Sequence, residues 1–176
     1  MNRQPRPAAD EYFEYYSRYI SLVPDGDILA TLRRQIDTSV AHLGSLTEAQ
    51  AGHRYAAGKW SVKQCIGHMI DTERIFAYRA LRIGRNDHTP IEGFEQDDYV
   101  QSAAFDACSP ASLIEELHVV RKSTILLLEH LQDEAWGRRG VASTYAVSAR
   151  ALAWIIAGHE LHHLTVIREK YFSKTA

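Results

Sequence analysis

His159-Glu160-Leu161-His162-His163 lies in an apolar stretch near the C-terminus. Around it Leu152, Ile155, Ile156, His159, His163, Val166 and Ile167 recur at three- and four-residue spacing. That period is helical, and such a stripe is the face a helix turns toward a core. His159 and His163 are four residues apart, so a helix stacks their rings about one turn apart on the inward face. Burying two polar rings is costly unless both are satisfied. A shared metal ion satisfies both at once. Hydrogen bonds within the core, or an exposed face, are the plainer alternatives. His162 falls to the side of the stripe and reads as a supporting or surface residue.

The same five residues match H-E-x-x-H, the zinc-protease signature in which the glutamate is the base. Such a site usually takes a further ligand downstream. Only 13 residues follow His163, none is histidine, and the one acid, Glu169, continues the same helix. The protease reading is therefore the weaker one. A third ligand is better sought upstream, and His68 in Gly67-His68-Met69-Ile70-Asp71 is the best placed. Cys65, three residues earlier, is an alternative donor, although a core thiol is the simpler reading. Asp71, one turn on, is placed to orient the His68 ring. A solvated helix face paired with Arg74 is the plainer role for Asp71 and Glu73. His42, His53, His88, His118 and His130 have no partner at ligand spacing. Tyr55 and Trp60 flank the start of the His68 helix and read as packing residues.

Outward from these motifs, the spacing predicts four long helices. The first spans residues 27–43, with Ile28, Leu32, Ile36, Val40 and Leu43 on one face. The second starts at Ser61, where Gln64 completes a capping-box pattern, and stops at Gly84. The third begins at Ser109-Pro110, an N-cap followed by proline at the first helical position, and runs to about Leu131. The fourth runs from about Ser148 to Tyr171. Residues 10–20 form a short helix broken by Pro24 and Gly26. Residues 85–109 are polar and irregular, long enough for a functional loop. Residues 137–140 read as a loop. No segment sustains period-two alternation, so the expected architecture is all-α: a four-helix bundle with a long connecting loop, or with a crossover.

With 176 residues the chain suits one domain, residues 10–176, behind a loose tail at residues 1–9. A net charge of −2 argues against nucleic acid or an anionic membrane as partner. Apolar stretches such as residues 151–157 are far shorter than a membrane span, and no signal peptide is visible, so the expected compartment is the cytoplasm. Cys65 and Cys108 form no metal-binding or disulfide pattern and read as reduced thiols.

Several stretches together resemble the DinB-like superfamily of metal-binding four-helix bundles. They are Tyr19-Ile20-Ser21-Leu22-Val23-Pro24, Gly58-Lys59-Trp60-Ser61-Val62-Lys63, Gly67-His68-Met69-Ile70-Asp71-Thr72-Glu73-Arg74, and Ala157-Gly158-His159-Glu160-Leu161-His162-His163. The resemblance covers residues 19–171. It implies a ligand set of His68, His159 and His163, and it disfavours His162 and Cys65. The loop, with Gly93-Phe94 and Asp97-Asp98-Tyr99, resembles the relatives too but holds no recognised catalytic motif. The family includes thiol transferases that use bacillithiol, mycothiol or glutathione, a related isomerase, and members described as metal-dependent hydrolases.

The resulting expectation is an enzyme dependent on a divalent metal, zinc or nickel first and iron next. Three protein ligands leave a coordination position open, as catalytic sites do. The leading activity is thiol-dependent transfer to small electrophiles, in stress or detoxification. The first alternative is metal-dependent hydrolysis of a small substrate. The second is a non-catalytic structural or sensing metal site in a bundle that forms a homodimer. The expected partner is a small molecule, including a low-molecular-weight thiol. No general base stands out; Asp71, Glu73 and Glu160 are the candidates.

Overall fold

The computed structural model describes residues 4–172. Four long helices carry it: α1 (Ile28–Leu43), α2 (Val62–Gly84), α3 (Pro110–Glu129) and α4 (Ala149–Val166). Each start is built by a side chain that satisfies amide groups the helix leaves without partners. The Asp27 carboxylate accepts from the Leu29 and Ala30 amides at 2.8 and 3.2 Å. Ser61 and Gln64 exchange bonds at α2, both at 3.0 Å. Ser109 precedes Pro110 at α3, and Ser148 accepts from the Ala151 amide at α4.

The helices pack in the cyclic order α1, α3, α2, α4. Helices α1 and α2 therefore lie diagonally across the bundle, as do α3 and α4. Only the α2–α3 connection joins neighbours; the other two cross over. This is the expected all-α four-helix bundle, with two crossovers.

Two apolar clusters fill the interior. One gathers Leu32, Phe76, Ile83, Leu128, Leu152 and Trp154. The other gathers Ile36, Ile66, Ile70, Leu113, Leu117 and Ile167. Near where the clusters meet, the helices carry a seam of buried polar residues: Ser39, His68, Thr72, Glu73, Arg121, His159 and Glu160.

Three expectations need correction. Residues 139–148, read partly as loop, form a two-stranded hairpin of β1 (Arg139–Ala142) and β2 (Tyr145–Ser148). Four-residue strands are too short to display alternation. Of the segment read as a loose tail, residues 1–3 lie outside the described residues, but the rest is held. Arg6 donates to the Ile20 and Val23 carbonyls, both at 2.6 Å, and its guanidinium lies 4.8 Å from the Trp154 ring centre. Glu11 accepts from Ser148 and Arg150 at the start of α4. Finally, the long loop holds a short helix, Gln96–Ser102. It is pinned at both ends: Arg79 donates to the Glu92 carbonyl, and Asp106 accepts from Ser61 and Arg54.

Candidate metal centre

His68 on α2 faces His159 and His163 on the adjacent α4. The Nε2 atoms of His68 and His159 are 3.1 Å apart, as are those of His159 and His163. All three residues offer a ring nitrogen within 4.8 Å of the others. The expected trio is thus brought together. His162 and Cys65 are not part of that cluster.

Close approach of chain at two glycines sets these histidines in place. Each directly precedes a histidine. A Cβ on Gly158 would stand 2.1 Å from the Tyr19 carbonyl oxygen, so only glycine lets the Ser17–Ile20 turn lie against α4 there. The Tyr19 ring then meets the edge of His159 at 5.3 Å. A Cβ on Gly67 would stand 2.4 Å from the Phe105 ring, which brings the long loop down on α2 beside His68. Trp60 lies 4.9 Å from the His68 ring.

Burial keeps the three imidazoles neutral. Desolvation pushes the His68 pKa down to about 4. It also pushes His159 and His163 well below their ordinary value, with the neighbouring histidines adding to the effect. Neutral rings keep a lone pair available to an ion. Thr72 Oγ1 lies 3.4 Å from His68 Nδ1, so a proton on Nδ1 leaves Nε2 free to ligate.

Ordinary hydrogen bonding does not satisfy this arrangement. His159 Nε2 faces two ring nitrogens, and in a neutral ring it carries either one proton or one lone pair. One contact is always left without a proper bond. A cation shared by three lone pairs removes the conflict. Ligand nitrogens at about 2.1 Å from one zinc ion lie within roughly 4.2 Å of each other; the two 3.1 Å spacings fall inside that limit, and the remaining pair, within 4.8 Å, has to close slightly around an ion.

The three candidate bases lie elsewhere. Glu160 accepts from Ser39 and pairs with Arg121 at 2.6 Å. Glu73 holds the other side of the same guanidinium through two bonds, at 2.8 and 2.9 Å. Both carboxylates are committed to a fully buried arginine. Desolvation pulls the Arg121 pKa down, but the two glutamates outweigh it and hold the residue charged. Asp71 is not the His68 acceptor; it approaches Arg74 at 3.6 Å, and burial raises its pKa. H-E-x-x-H is therefore a coincidence of spacing, with its glutamate turned to α1 and α3. Arg121 was legible as a polar residue within the apolar stripe of α3, four residues after Leu117 and seven before Leu128.

His163 opens onto a cavity of about 320 Å³. Tyr55, Trp60, His162 and Tyr171 line it. The Tyr171 hydroxyl donates to the Trp60 carbonyl at 2.7 Å and lies 3.3 Å from Cys65 Sγ. Burial raises the Cys65 pKa, which keeps it a thiol. Lys59 and Asp97 complete the lining. Both fall in stretches that resemble the superfamily, but no spacing links a loop carboxylate to a lysine 38 positions earlier, so their shared cavity was not legible. A groove of about 380 Å³ between α1 and α3, lined by Arg33, His118 and Glu129 among others, shares no lining residue with the histidine cluster.

Residues 31–167 match the model of the DinB superfamily. The chain belongs to the DinB superfamily. A Bacillus pumilus protein named "Putative metal-dependent hydrolase" is 29% identical over 148 residues, covering 81% of each chain. A protein of the same name from Oceanobacillus iheyensis is 25% identical over 145 residues, covering 77% of this chain and 80% of the relative. Among solved structures, Bacillus subtilis YfiT, described as "a probable metal-dependent hydrolase with an unusual four-helix bundle topology", superposes with a TM-score of 0.69 at 16% identity. That match covers 96% of this DinB chain and 95% of YfiT. A mycothiol-dependent maleylpyruvate isomerase superposes with a TM-score of 0.67 at 13% identity, over 82% of this chain and 61% of the isomerase. At those identities the likeness establishes the fold. Among the described residues no helix is long and apolar enough to cross a membrane.

Proposed function

We propose that this DinB-superfamily chain is a metal-dependent enzyme acting on small molecules, with His68, His159 and His163 as the protein ligands of one divalent cation. The observation that carries the reading is the single His159 nitrogen caught between two others beside an open cavity. A cation held there supplies Lewis acidity and lowers the pKa of a water or thiol bound to it. The chain's own part is threefold. Burial keeps the histidines unprotonated. Trp60 and Tyr171 shape the cavity beside them. The Arg121 pairings hold Glu73 and Glu160 away from the reacting groups.

Hydrolysis of a small substrate is the first reading, supported by the names of the two sequence relatives. Thiol-dependent transfer is the second. It draws on the fold shared with a mycothiol-dependent enzyme and on a cavity large enough for a small thiol beside its electrophile. Zinc and nickel both suit three imidazoles.

The test is metal analysis of protein purified without an affinity tag, then turnover of ester, amide and electrophile panels with and without chelator and added thiol. The expected outcome is one divalent ion per chain and turnover that chelation abolishes and metal restores. His159→Ala and His163→Ala should each lose the ion while keeping helical circular dichroism. Full occupancy in both variants overturns the ligand assignment. Turnover that needs an added thiol selects transfer over hydrolysis.

A further inference from the structure

We infer that the cavity beside His163 selects a small zwitterion, with Asp97 receiving its ammonium group and Lys59 its carboxylate. This rests on the reading of the three histidines as a metal site. Lys59 and Asp97 come from separate parts of the chain and both line this cavity. Lys59 is held in place through its backbone: Gly58 takes a positive φ of 73°, and Arg54 donates to the Lys59 carbonyl at 2.7 Å. Asp97 sits in the first turn of the Gln96–Ser102 helix, which buried Val100 anchors.

Neither charge has an ion pair or a hydrogen bond among the described residues, and they do not pair with each other. The nearby charged groups are already occupied. Arg54 is spent on Asp106 and Gln64, and Lys63 on Glu48. An unpaired charge in water is ordinary. Two opposite charges lining one cavity of about 320 Å³ define a gap that a ligand with both signs can span. That volume has room for an amino acid or a short conjugate of one. Tyr55 and Trp60 line the same cavity and supply apolar ring surface.

The experiment uses the metal-loaded full chain and four thiols that share one anchoring group but differ in charge: cysteine, N-acetylcysteine, cysteamine and 2-mercaptoethanol. Dissociation constants are measured by calorimetry, with metal content determined in parallel. Cysteine should bind at least about fivefold tighter than each of the others, a margin in keeping with partly exposed ion pairs. Asp97→Ala should bring cysteine down to the affinity of N-acetylcysteine. Lys59→Ala should bring it down to that of cysteamine. Neither change should alter 2-mercaptoethanol binding or metal content, and Asp97→Lys should make N-acetylcysteine the better ligand over cysteamine. Equal affinity for all four thiols, no binding of any, or variants with wild-type selectivity overturns the inference while leaving the metal site standing. A loss of turnover in Asp97→Ala with selectivity unchanged also overturns it. Protein without stoichiometric metal sinks the site reading itself, and this inference with it.

Discussion

The His68 imidazole shows how much a single group is altered by folding. Its ordinary pKa is 6.5; burial on α2 pushes it down to about 4. Between these values the unfolded chain binds more protons than the folded one, so stability falls as pH falls through that window. His159 and His163 shift in the same direction and deepen the loss. The metal-free protein should therefore melt at a clearly lower temperature near about pH 5 than near about pH 7. Thermal melts in chelator check this, and a flat Tm across the range would contradict it. The trio was legible because helical spacing pairs His159 with His163, His68 was the best-placed upstream donor, and the resemblance to the superfamily implied the same three. The partners of Glu73 and Glu160 were not, since Arg121 and Ser39 reach them across the bundle.

Among the elements, α2 and α4 each carry a glycine just before a histidine, and each glycine accommodates a neighbouring piece of chain. Gly158→Ala would force the Tyr19 backbone off α4. The expected loss is about 1–3 kcal/mol, the usual result of overpacking, and Gly137→Ala, with open space at its Cβ, should be nearly neutral. Urea denaturation of the two variants checks the contrast; equal midpoints would remove the argument. The helices were readable from caps and apolar periodicity. The hairpin was hidden for a local reason: its turn residues Ser143 and Thr144 take positive φ values of 51° and 72°. Asn-Gly is the pair that usually announces such a turn, and neither residue is present there.

Across the whole molecule, the polar seam lies near where the two apolar clusters meet. At its centre one arginine balances two buried glutamates. Arg121→Met would leave both carboxylates buried without a counter-charge. A loss of about 3–5 kcal/mol is expected, the usual result of breaking a buried pair from one side. Chemical denaturation measures it, and a change below about 0.5 kcal/mol, the scale of a neutral surface substitution, would show that the pairings carry little. The seam has a geometric consequence as well. A helix that slid by one residue would travel about 1.5 Å along its axis, carrying Arg121 out of reach of one glutamate and dragging charge into hydrocarbon. The vertical alignment of α2 against α4 is thus keyed by a charged latch at the same level as the histidine rings, so the toothing that assembles the bundle also gauges the spacing of its nitrogen donors.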